Sequence, residues 1–110
     1  MSQQTLTGKL LNAVTVVGVG PEISGIGPVA LGSFAAEWTG SPTRVVVTIK
    51  GIIDGSTYDT LVVIDSDQGY TSGEIVFMSF PTMVRRVKAS LDVLTGGSSP
   101  TVSCYMSTRD

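Results

Sequence analysis

Turn-forming clusters recur at short intervals along this 110-residue chain, and their spacing is the tightest constraint on its fold. They fall at Gly18-Val19-Gly20-Pro21, Gly40-Ser41-Pro42, Asp54-Gly55-Ser56, Asp67-Gln68-Gly69 and Gly96-Gly97-Ser98-Ser99-Pro100. Valine-rich segments lie between them, and good helix formers are scarce. Strands at this spacing point to an all-β sandwich or barrel.

The segments carry the alternation of half-buried strands. In "TRVVVTIKG", Val45, Val47 and Ile49 share one face, and Arg44, Val46, Thr48 and Lys50 the other. "TLVVID" and "EIVFMS" read as further strands. In "RVKASLDV", Val87, Ala89 and Leu91 oppose Arg86, Lys88 and Ser90. In "TVSCYMST", Val102, Cys104 and Met106 share a face, so Cys104 reads as a small core residue. "VALGSFAAEW" reads as a strand, with a helix as the alternative. Residues 1–28 carry only Lys9 and Glu22 as charges and two prolines; they read as an edge strand followed by an extended arm. Residues 29–110 form the sandwich domain.

Composition narrows function by exclusion. Charged residues make up 15% of the chain, against about 25% in ordinary domains. So few charges suit a protein that hides surface in an assembly. The net charge is −2, with no basic stripe to neutralise phosphates, so nucleic acid is not an expected partner. There is no histidine, which removes the commonest general base and metal ligand. Cys104 is the single cysteine, so no internal disulfide forms. The N-terminus lacks a signal-peptide pattern and no apolar run reaches membrane-spanning length, so a soluble product made in the cytoplasm is expected.

Several motifs tempt. "GVGPEISG" resembles a dinucleotide loop, but Ile23 stands where the fingerprint needs its third glycine and no βαβ pattern surrounds it. "DSDQGYTSGE" resembles a calcium loop but fails the ligand spacing, leaving Asp65, Asp67 and Glu74 as an irregular cation site to test. Tyr70 and Trp38 lie beside turns and are the candidates for stacking on a sugar ring. No catalytic, cofactor-binding or metal residue is assigned, and no enzyme activity or cofactor is expected.

The order of these elements resembles small tailed-phage and prophage virion proteins. There a strand leads into a Gly-Ser-x-Asp-Gly-x-x-Trp/Tyr hairpin. An Arg-Tyr-Val-Arg-Ala-x-Leu strand follows, then a Gly/Ser/Pro turn and a Thr/Val-rich final strand. The matching residues here are Gly51, Asp54, Gly55, Tyr58, Val84, Arg85, Val87, Lys88, Ala89 and Leu91, completed by Thr95 to Val102, over roughly residues 43–107. Ile52-Ile53, Tyr58 and Lys88 depart from the usual residues. A similar hairpin-plus-strand pattern occurs in discoidin-like sandwiches, many of which bind carbohydrate.

The resemblance implies a sandwich of jelly-roll type acting as a capsid decoration, or cement, subunit. It would sit on the outer capsid surface of the virion as a homotrimer, with the major capsid protein as partner and residues 1–28 as the docking arm. The alternative it implies is a tail or fibre accessory protein that binds carbohydrate.

Overall fold

A computed structural model describes residues 5–23, 31–52, 57–79 and 86–109. Eight strands run in order: β1 Thr5–Val14, β2 Gly18–Val19, β3 Leu31–Thr39, β4 Arg44–Ile52, β5 Tyr58–Asp65, β6 Ile75–Ser79, β7 Arg86–Thr95 and β8 Thr101–Arg109. A single 3₁₀ turn, Ser66–Gln68, follows β5. The strands form two antiparallel sheets, ordered β1-β8-β3-β6 and β2-β7-β4-β5. Strands 1, 8, 3 and 6 facing strands 2, 7, 4 and 5 is the jelly-roll arrangement. "VALGSFAAEW" therefore contributes strand β3, not a helix.

The alternation read from the sequence sets the core. Val45, Val47 and Ile49 from β4 meet Val87, Ala89 and Leu91 from β7, and all are at most 1% exposed. Facing them, Phe34 and Ala36 from β3 pack with Val102, Cys104 and Met106 from β8. Each large apolar side chain buried here is worth roughly 1.5–3 kcal/mol of transfer free energy. β4 is central, flanked by β5 and β7, so its outer face is covered too: Val46 and Thr48 are both 8% exposed.

Within residues 1–28, β1 and β2 are built into the sandwich as an edge strand of each sheet. β1 is an edge strand whose alternation is broken twice. Its register against β8 shifts between Lys9 and Leu11 and again between Leu11 and Val14. The first bulge turns both Leu10 and Leu11 inward, at 0% and 2% exposure. At the second, Ala13 takes a φ of 49° and its N–H donates to Ser103 Oγ at 2.9 Å. Beyond β2 the chain stays extended along β7, where Gly20 N–H donates to the Ala89 carbonyl and Ile23 bridges Val87.

The β7–β8 connection carries consecutive left-handed residues, Gly96 at φ 72° and Gly97 at φ 77°. Two such residues in a row favour glycine, and this is the role of the Gly-Gly pair read as a turn. β4 and β5 pair antiparallel from Val46 with Asp65 to Ile52 with Tyr58, so residues 53–57 connect them. The turn residues Asp54, Gly55 and Ser56 lie outside the described residues, as do Val84 and Arg85.

Candidate functional site

The outer face of the β1-β8-β3-β6 sheet holds an exposed apolar patch at Ile75 and Phe77; Val16, Val17 and Val19 near β2 and Val63 on β5 are exposed elsewhere. Register places Lys9, Tyr105, Ala35 and Ile75 in one row across the four strands. The next outward row holds Ser107, Ser33 and Phe77. Small residues in the middle and large ones at the sides leave a groove of about 420 Å³. Its walls include Tyr105 and Ile75; its floor runs along Gly8, Phe34 and Met106, whose backbones are paired in register. The Lys9 ammonium lies 5.3 Å from the Tyr105 ring centre, within reach of a cation–π contact.

β6 forms the open side of this face. Ile75 is 56% exposed and Phe77 76% exposed. "EIVFMS" is apolar at consecutive positions, so it presents apolar residues to both faces of the sheet. An edge strand with only one face on the core leaves the other apolar face uncovered. That doubling was the signal in the sequence for this surface.

The opposite sheet face is polar. Arg44, Lys50, Arg86 and Lys88 all lie on its outer side, beside Tyr58, Thr60 and Val63. The Lys88 ammonium sits 3.9 Å from the Tyr58 ring centre. Arg86 approaches Glu22 at 3.8 Å. Asp92, the extra residue of a β7 bulge, accepts hydrogen bonds from Thr48 and from Ser90.

The residues singled out in the sequence take structural roles. Asp65 binds the Arg44 guanidinium at 2.9 Å and accepts the Asp67 N–H at 3.0 Å, capping the 3₁₀ turn. The hydrogen bond from Arg44, reinforced by the Asp67 amide, holds the Asp65 carboxyl below its ordinary range, and the same ion pair raises Arg44. Asp67 lies 3.3 Å from Arg44. Glu74 instead accepts from the Thr71 N–H and hydroxyl at 3.2 and 3.3 Å. The three carboxylates are therefore split between an ion pair and a turn. Among the described residues no cluster of three metal-ligating side chains forms.

Trp38 and Tyr70 are not exposed platforms: both pack partly buried against the core. Trp38 follows Phe34 and Ala36 on the inward side of β3, opposite Val102, and the Ser72 hydroxyl accepts its N–H at 2.9 Å and donates to its carbonyl at 3.3 Å. Gly73 N–H adds a bond to the Ala36 carbonyl. The Gly/Ser loop is thus fastened along β3. Cys104 is fully buried, and burial pushes its thiol up to about 12. "GVGPEISG" runs extended along β7 from Gly18 to Ile23.

No family model matches the chain, and no curated protein matches it. Among solved structures, the SPBc2 prophage-derived protein YomS superposes with a TM-score of 0.68 at 11% identity, covering 100% of this chain and 96% of YomS. The two chains share a fold. A component of Bacillus endospore appendages, described as disulfide-linked pili, covers 97% of this chain and 85% of its own at 15% identity, with a TM-score of 0.45.

Proposed function

We propose that this chain is a phage virion structural protein, and specifically a capsid decoration subunit that docks on the outer head surface. The observation that carries the reading is the full-length match to the jelly roll of a prophage-derived protein. Two features support it. The chain carries few charges, and one sheet face presents a groove beside exposed Ile75 and Phe77. Exposed apolar patches of this kind mark interaction surfaces. A subunit that binds the assembled shell, and not free capsid protein, stabilises the shell by mass action.

The docking surface assigned here is the outer face of the β1-β8-β3-β6 sheet, in place of an N-terminal arm. Leu10 and Leu11 commit β1 to this chain's own core.

The test separates heads from tails of purified particles and probes each for the chain. Heads lacking it are then titrated with purified protein. Saturable binding to heads, with raised head melting temperature, is expected. Absence from particles overturns the virion reading; presence on tails alone overturns decoration.

A second reading, a tail accessory protein that binds carbohydrate, has one observation in its favour. The groove combines the Tyr105 ring with the Ser33 and Ser107 positions, the mix of aromatic and hydroxyl groups that sugars bind. A glycan array with Tyr105→Ala as control tests it, and an array without signal removes it.

A further inference from the structure

Among the described residues the two sheets expose four edges, and three are guarded against pairing with another chain. β1 is bulged twice and carries Lys9. β2 is only two residues long. β5 carries a bulge against β4 and the charges of Asp59 and Asp65. Bulges, charges and shortness are the devices that keep sheet edges apart. β6 has none of them: Ile75–Ser79 contains no charge and no proline, and its register against β3 runs without a shift. Among the described residues, no backbone bond outside the β3 pairing reaches β6. Phe77, at its centre, is the most exposed large apolar residue among them.

We infer that β6 pairs edge to edge with β6 of a second copy of this chain, antiparallel about a two-fold axis at Phe77, joining the two β1-β8-β3-β6 sheets into one. The strand is self-complementary in this register. Ile75 falls opposite Ser79 of the second copy, Val76 opposite Met78, and Phe77 opposite Phe77. Positions 75, 77 and 79 share a face, so both copies keep their outer face outward. Charge favours the arrangement as well. The nearest charges, the two Glu74 residues, end six positions apart along the paired strands, about 20 Å, or twice the screening length in ordinary buffer. The occupant is therefore another copy, joined by main-chain hydrogen bonds of the β-augmentation type. The grooves of the two copies then lie on one continuous face.

The inference does not rest on the virion reading, because the dimer is read in solution without phage particles. Sedimentation equilibrium of the full chain over a concentration series is expected to give the mass of two chains. Phe77→Asp, which sets two carboxylates opposite each other at an exposed position, is expected to give the mass of one chain with an unchanged circular dichroism spectrum. Phe77→Cys tests the register independently of that variant. A short bifunctional thiol reagent is expected to link it into a covalent dimer, whereas Val63→Cys, on the other sheet, stays unlinked. Cys104 is buried and does not interfere. A single-chain mass at every concentration, a trimer indifferent to Phe77→Asp, or equal linking of both cysteine variants overturns the inference.

Discussion

Lys50 on β4 and Lys88 on β7 stand directly opposite each other in the antiparallel register, two like charges on one sheet face. Neither is ion-paired among the described residues; Lys88 turns to the Tyr58 ring instead. Like charges directly opposite on neighbouring strands destabilise a sheet. Lys50→Glu converts repulsion into attraction and is expected to raise stability by about 0.5 kcal/mol. Urea titrations at low and high salt measure it, because screening shrinks the gain. A loss of stability at low salt would refute the assignment.

The same corner holds a polar atom without a partner. The Tyr58 hydroxyl is buried and finds no hydrogen-bond partner among the described residues. A buried unpaired hydroxyl costs about 1 kcal/mol or more. Tyr58→Phe keeps the ring under Lys88 and removes the hydroxyl, so it is expected to stabilise the protein by about 1 kcal/mol. Chemical denaturation of the two proteins side by side decides this, and a destabilised variant would show that the hydroxyl has a partner.

What could be read from the sequence depended on how regular each strand is. β4 keeps its alternation unbroken, so Val45, Val47 and Ile49 were assignable to the core without coordinates. The same holds for Val87, Ala89 and Leu91, and for Val102, Cys104 and Met106. In β1 the edge strand was readable but its inward residues were not, because a bulge adds a residue and turns Leu10 and Leu11 inward together. At the surface, loop position misled. Trp38 and Tyr70 sit beside glycine-rich turns, yet the Ser72 and Gly73 bonds fold that loop onto β3. The exposed aromatic among the described residues, Phe77, lies mid-strand, where burial is the ordinary expectation. Only its place on an edge strand exposes it, and strand order is a non-local property that no local pattern carries.

Asp65 makes stability depend on pH at the acid end. Its folded pKa lies below the ordinary 3.8, first through the Arg44 hydrogen bond and then through the Asp67 amide. A depressed carboxyl contributes stability that is present above its unfolded pKa and lost as pH falls through the folded one. The melting temperature is therefore expected to drop below about pH 4. Asp65→Asn keeps an oxygen to cap the turn but loses the ion pair. It should melt lower at neutral pH and show a shallower acid decline. An identical acid decline in both proteins would assign it to other carboxylates.

Gly20 belongs to the segment that imitates a phosphate-binding loop, and its conformation shows what glycine does there. It sits just past β2, where the chain continues along β7, donating its N–H to Ala89 at 2.8 Å. A Cβ at this position would collide with the Leu10 carbonyl oxygen and come within 2.7 Å of a Leu11 methyl. The side-chain clash can be relieved; the clash with backbone cannot, because Leu10 is held in a bulge against β8. Gly20→Ala is therefore expected to cost roughly 1–3 kcal/mol, the range for overpacking. Adding Leu11→Ala, which frees only the side-chain space, is expected to lower stability further. Urea unfolding of the single and double variants measures both steps. A double variant more stable than Gly20→Ala would place the conflict at the Leu11 side chain and not at the Leu10 backbone.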